Sequence, residues 1–214
     1  MASSRLSAIV LRKGDSQKMP WKNGQGSTSE IAIYPIGTSL SENSFLWRLS
    51  SAEITTGGSF SLFPGYERYL GLVKGDGLQL NFEPSKRQIL LQRGKVCRFS
   101  GTDVVSSSLS GGPVEDLNLI YSTSRVKAVF EAVVLRSKPR SFGMTGTVGF
   151  IYCVEGSVSA SVFPGEIKFL VPEGDILRVD LPQTPSPNEG LILVEPVAAG
   201  TDCKLILIEL SVQF

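Results

Sequence analysis

Short apolar runs with turn residues between them, many of them glycine or proline, recur along almost the whole 214-residue chain. The clearest cover residues 45–52, 68–73, 78–82, 117–121, 128–135, 149–154, 157–163, 190–195 and 205–210. Runs this short cannot hold a stable helix, and turn residues at nearly regular intervals favour sandwiches or barrels. Within one run Tyr66, Arg68, Leu70 and Leu72 fall on a single face, the two-residue period of a strand. No helical pattern of comparable strength competes, so the expected fold class is all-β.

An internal echo refines this expectation. Leu70-Gly71-Leu72-Val73-Lys74-Gly75-Asp76-Gly77 is answered by Phe150-Ile151-Tyr152-Cys153-Val154-Glu155-Gly156-Ser157, with Gly156 lying 81 positions after Gly75. Gln92-Arg93-Gly94 is answered by Pro172-Glu173-Gly174 at an offset of 80. Two landmarks at nearly one offset suggest duplicated barrels, although turns of a charged residue and glycine are common enough to coincide. The expected seam lies near 123–125. It gives one domain over residues 1–124 and a second over 125–214, with 137–147 as a long connection inside the second.

The chemistry available is narrow because histidine is absent. That removes Ser-His-Asp and Cys-His catalysis and every metal site that needs imidazole. Carboxylate, lysine, tyrosine, arginine and thiol chemistry remain. Cys97, Cys153 and Cys203 form no Cys-x-x-Cys pair, so a zinc ribbon is excluded and a disulfide framework is not expected. Twenty-one basic residues against 20 acidic ones provide no field for nucleic acid or an anionic membrane. No apolar run approaches the ~20 residues of a spanning helix, and no leader is evident, so a cytoplasmic protein is expected.

One loop stands out. Met19-Pro20-Trp21-Lys22-Asn23-Gly24-Gln25-Gly26 crowds an indole, an ammonium and an amide against flexible glycines. A strand follows, with Ser29, Ile31 and Ile33 expected on one face. The loop can present polar groups to a ligand, or it can be an ordinary turn into an edge strand.

Trp21-Lys22-Asn23-Gly24-Gln25-Gly26 with Glu30-Ile31, Trp47-Arg48-Leu49-Ser50, Phe60-Ser61-Leu62-Phe63-Pro64-Gly65-Tyr66-Glu67-Arg68, Phe99-Ser100-Gly101 and Asp116-Leu117-Asn118 occur in that order. In sequence and spacing these blocks resemble the HutD/Ves family, which is associated with histidine utilisation. The resemblance spans residues 19–121, about half of the chain. It implies a two-barrel cupin, a bicupin of jelly-roll type, and a small-ligand-binding role without an established reaction.

Cupins commonly carry a metal on two His and a Glu before one glycine turn and a further His after another. Counting from the turns of this chain, Arg68 stands where the Glu would be, Ser61 and Phe63 (or, one residue later, Leu62 and Pro64) where the first two His would be, and Cys97 where the last would be. The second half offers Gly149 and Leu177. No metal and no cofactor are expected. A guanidinium prefers an anion, cannot deprotonate and must be paired if buried. Its partner is either Asp116 or Glu30, as a structural ion pair, or a ligand carboxylate.

The other residues have competing readings. Lys22 is a second cation over the pocket or an exposed loop lysine, and Asp116 and Asn118 line a site or face solvent from an edge strand. Trp47 and Arg48 alternate, which leaves Arg48 structural or interfacial if the indole points inward. Cys97 reads as a small buried side chain rather than a nucleophile. The resulting ligand set is Arg68, Lys22, Asn23, Trp21, Ser61, Glu30, Tyr66, Asp116 and Asn118, with no catalytic residue assigned.

Three functions compete. The first is a metal-free bicupin that binds a small carboxylate such as urocanate, formylglutamate or formate, in a sensing or regulatory role. The second is a cofactor-free isomerase or hydrolase using Lys22 or Glu30 with Arg68. The third is an interaction module that pairs through sheet edges, for instance as a homodimer.

Overall fold

The computed structural model describes residues 5–21, 24, 26–38, 44–186 and 189–213. Among them every regular element is a strand. The first nine are β1 (Ser7–Leu11), β2 (Lys18–Pro20), β3 (Gly26–Tyr34), β4 (Trp47–Ile54), β5 (Tyr66–Lys74), β6 (Leu78–Glu83), β7 (Arg87–Leu91), β8 (Val96–Ser100) and β9 (Val104–Leu109). The others are β10 (Val114–Ser122), β11 (Val126–Arg136), β12 (Arg140–Gly143), β13 (Val148–Glu155), β14 (Ser157–Val162), β15 (Ile167–Pro172), β16 (Ile176–Asp180), β17 (Leu191–Pro196) and β18 (Asp202–Val212). No helix among the described residues is long and apolar enough to cross a membrane.

The chain forms two compact units. The first, Ser16–Val126, holds a six-stranded sheet ordered β2-β3-β4-β10-β5-β8 and a three-stranded sheet ordered β7-β6-β9. Leu70, Leu72 and Phe99 of the large sheet and Leu78, Leu80, Phe82 and Val105 of the small one share one buried cluster. These residues recur every second position, so burying one face of each strand dictates both register and sheet stacking.

The second unit gathers Lys127–Gln213 with the described residues up to Asp15. Its sheets run β1-β16-β13-β18-β11 and β12-β17-β14-β15, around a core that includes Ile151, Val158, Ala160, Val179 and Leu205. Two details differ from the sequence expectation. β1 does not stay with residues 16–124. It pairs antiparallel with β16, from Ser7 opposite Asp180 to Leu11 opposite Ile176. The stretch 137–147 is not purely a connection, because it contributes β12 to the edge of a sheet beside β17.

Both units repeat one strand order. β4-β10-β5-β8 in the first corresponds to β11-β18-β13-β16 in the second, and β7-β6-β9 to β15-β14-β17. Gly75 and Gly156 both hold positive φ where the chain crosses from one sheet to the other, as do Gly94 and Gly174. Lys86 and Glu166, 80 positions apart, share a left-handed conformation uncommon for residues with a Cβ.

Candidate functional site

A cavity of about 400 Å³ opens within the first unit. Its floor is the face of the large sheet formed by β4, β10 and β5. Arg48, Ile120 and Arg68 are register partners across these three strands and therefore project to one side. Ser50, Asn118 and Leu70 form the next row, and Ala52, Asp116 and Leu72 the third. Trp21, Thr28, Phe60, Ser61 and Phe63 complete much of the wall. Sequence period and register together thus place two guanidiniums, a carboxylate, an amide and a hydroxyl on one face among Ala52, Leu70, Leu72 and Ile120.

Arg68 is only 3% exposed. Its guanidinium lies 4.9, 5.7 and 5.1 Å from the ring centres of Phe60, Phe63 and Phe99. Nη1 donates to the Ser61 carbonyl at 3.2 Å, and Nε has no partner. No carboxylate among the described residues lies within ion-pair distance of it. Glu30, one of the two partners expected, is held instead by Arg48 Nε at 2.7 Å. The other, Asp116, spends one oxygen on the Ala52 N–H at 3.2 Å. Burial pushes Arg68 down to about 10, against the opposing charges of Asp116 and Cys97.

Asp116 is 1% exposed, and burial pushes its carboxyl up to about 7, with Arg68 and the Ala52 N–H pulling the other way. β10 is an interior strand of its sheet, which overturns the reading of Asp116 and Asn118 as the wet side of an edge. Asn118 Oδ1 is buried beside the cavity without a donor. Such orphaned polar atoms are uncommon in folded proteins and mark a place where a ligand or water is expected to bind.

Trp21 reaches the cavity because Gly26 makes room. A Cβ on Gly26 would collide with the Glu53 carbonyl oxygen and stand 3.0 Å from the indole ring. The indole Nε1 donates to Thr28 Oγ1 at 2.7 Å. Lys22 and Asn23 lie outside the described residues. Glu30 and Tyr66, by contrast, do not line the cavity. Glu30 holds Arg48, while the Tyr66 hydroxyl donates to the Phe45 carbonyl at 2.8 Å. A bulge between Glu30 and Ala32 sends Ser29 and Ile33 to opposite faces, so the alternation expected of that strand does not persist.

Arg48 was missed as a cavity residue. Trp47 and Arg48 do alternate, yet both are buried, because neither face of this sheet is exposed there. The signal available was the neighbouring pair Arg48 and Ser50, one face of one strand, now joined by an Nη1 to Oγ bond of 3.2 Å. Cys97 packs against the core, and burial pushes its thiol up to about 11, which leaves it a poor nucleophile.

The donor set does not fit a cupin metal. No group of three His, Cys, Asp or Glu side chains converges among the described residues, and a guanidinium occupies the carboxylate position. The second unit contrasts with this site position by position. Arg68 pairs with Phe99 and Ile120, and Gly149 pairs with Val179 and Glu209, so Gly149 is its counterpart in register. A Cβ on Gly149 would meet the Met144 thioether, which fills that space. Asp116 and Asn118 correspond to Leu205 and Leu207, the partners of Cys153 and Ile151.

Known proteins resemble this chain over most of its length. The profile of the HutD family matches residues 13–190. An uncharacterized 21.2 kDa Pseudomonas putida protein of the hutC 3' region is 42% identical over 119 residues, 56% of this chain and 60% of that protein. Protein Ves of Citrobacter koseri is 31% identical over 186 residues, covering 80% of this chain and 94% of its own length. The structure of HutD from Pseudomonas fluorescens SBW25, described for a formate condition, superposes with a TM-score of 0.77 at 33% identity, covering 97% of this chain and all of that one. A Bacillus subtilis oxalate decarboxylase shares the cupin-like fold alone, at 10% identity and a TM-score of 0.62 over 96% of this chain and 78% of that one.

Proposed function

The chain belongs to the HutD family, and from that membership and the buried guanidinium of its cavity we propose that it binds a small carboxylate metabolite in a sensing or regulatory role. One observation carries the reading. Arg68 is buried with no carboxylate in ion-pair range among the described residues and with Nε unpartnered. Nη1 is taken by Ser61 and Nε has no partner, so the guanidinium keeps N–H donors for a ligand carboxylate. In this reading the two units are cupin barrels, a bicupin, with the ligand in the first only. The family's association with histidine utilisation directs attention to urocanate, formylglutamate and formate.

A thermal-shift series with these three acids tests the proposal. A specific ligand at 100 times its dissociation constant is expected to add about 2.7 kcal/mol of stability. Arg68→Lys should keep the fold and weaken binding by roughly 1.5–3 kcal/mol, because an ammonium cannot reproduce the two-bond geometry. Absence of any carboxylate response, or an equal response in Arg68→Lys, would reject the site.

A second reading, turnover, is favoured by a different residue from those anticipated. Glu30 is engaged by Arg48, whereas Asp116 is a cavity acid held near neutrality, where a general acid or base works best. Following each acid by proton NMR during overnight incubation checks this: consumption that disappears in Asp116→Asn supports turnover, and unchanged spectra dismiss it.

A further inference from the structure

Asp116 is the only acid among the described residues lining the cavity. One of its oxygens accepts from Ala52, and no cation lies within ion-pair distance of the other. The charged groups around it are few. Arg68 projects from β5 into the same cavity, and Arg48 of β4 is already bonded to Glu30 of β3. Cys97 faces it from β8, and Glu115 precedes it on β10, hydrogen-bonded to Ser51.

A carboxylate seated on Arg68 would bring a second anion towards Asp116. Two carboxylates sharing one cavity with a single unpaired guanidinium cannot both stay ionised at little cost. The wall also holds Asn118 Oδ1, an acceptor that itself lacks a donor. What the anion needs from Asp116 is a hydrogen-bond donor rather than a second charge.

We propose that Asp116 takes up a proton when a carboxylate binds Arg68, so that its O–H donates to the ligand and the site admits an acid together with its proton. This rests on the carboxylate reading of the same cavity and identifies its proton-linked partner. The burial that holds the free carboxyl near neutrality acts in the same direction. Proton bookkeeping closes simply: solvent supplies the proton on binding and recovers it on release.

Formate suits the test because it is small and does not itself titrate near neutrality. The indole N–H resonances of the ¹⁵N-labelled full chain report the titration, since Trp21 lines the cavity. Sodium formate replaces sodium chloride at constant ionic strength. Between about pH 6 and about pH 8.5 the apparent Kd should rise roughly thirtyfold, approaching tenfold per pH unit above the Asp116 midpoint. Asp116→Asn, whose amide supplies a donor at every pH, should bind with less than about a twofold change over that range. Asp116→Leu, which copies Leu205 of the second unit, gives a further non-titrating variant should the amide disturb folding.

A saturable, Arg68-dependent formate response that is flat with pH would overturn proton uptake and leave the carboxylate site standing. So would a pH slope retained in Asp116→Asn, or loss of binding by that variant at every pH. No saturable shift at about pH 6, or a shift that chloride reproduces, would remove the carboxylate site itself and this inference with it.

Discussion

Asp116→Asn is expected to be more stable than the parent protein above neutrality and indistinguishable from it below about pH 4. The parent carboxyl is pushed up to about 7 in the folded state by burial. In the unfolded chain it returns to the ordinary carboxylate value of about 3.9. Between these values the folded protein holds a proton that the unfolded chain has released, so rising pH favours unfolding. Stability is therefore lost progressively from about pH 4 to about pH 7, and the deficit stays constant above that range. A shift of this size corresponds to a difference on the order of 2–4 kcal/mol. Asn keeps the acceptor that Ala52 needs but carries no charge to desolvate. Urea melts of both proteins at about pH 4, 6 and 8 would reveal the divergence, and parallel profiles would refute the buried, titrating carboxylate.

The two buried arginines are expected to respond in opposite ways to Arg→Met. Arg48 is bonded to Glu30 at 2.7 Å and to Ser50 at 3.2 Å. Removing it leaves Glu30 without its cation, although that side chain is 35% exposed and can be rehydrated in part. Arg48→Met should cost about 1–3 kcal/mol, less than the loss of one partner from a fully buried pair.

Arg68 makes no ion pair among the described residues, so its replacement removes a desolvated cation along with three ring contacts. These terms oppose each other, and Arg68→Met should stay within about 1 kcal/mol of the parent. Its carboxylate response should fall at least a hundredfold, the equivalent of about 3 kcal/mol from two charged hydrogen bonds. Denaturant melts paired with formate titrations separate the two roles. A collapse of Arg68→Met with binding retained in whatever remains folded would reverse the assignment.

Period-two alternation and turn glycines were enough to identify an all-β chain and its repeat, because both are local properties of sequence. The same alternation placed Arg68 among Leu70 and Leu72, and the pairing register then gave Gly149 as its counterpart. Non-local pairing was not readable. β1 contains Ile9 and Val10 but nothing that selects β16, far along the chain, as its partner. β12 and β7 are short and largely exposed, so their apolar patterns are faint. The Glu30 bulge left no mark in composition, and it alone reversed the facing of Ile33. Arg48 was passed over on the assumption that a strand has one buried face, which fails in a sheet buried on both.

The unit carrying Gly149, Leu205 and Leu207 shows how this strand order is built without Arg68, Asp116 and Asn118. It keeps the strand order and the turn glycines with Leu205 and Leu207 in place of Asp116 and Asn118 and with Gly149 in place of Arg68. Asp116, buried and charged above neutrality, is the member of this set that costs stability. Selection retains such residues for a task, and natural proteins often give up stability where activity requires it. The repeated strand order thus contains its own comparison, and under the proposed carboxylate site the differences between the halves mark where binding was added.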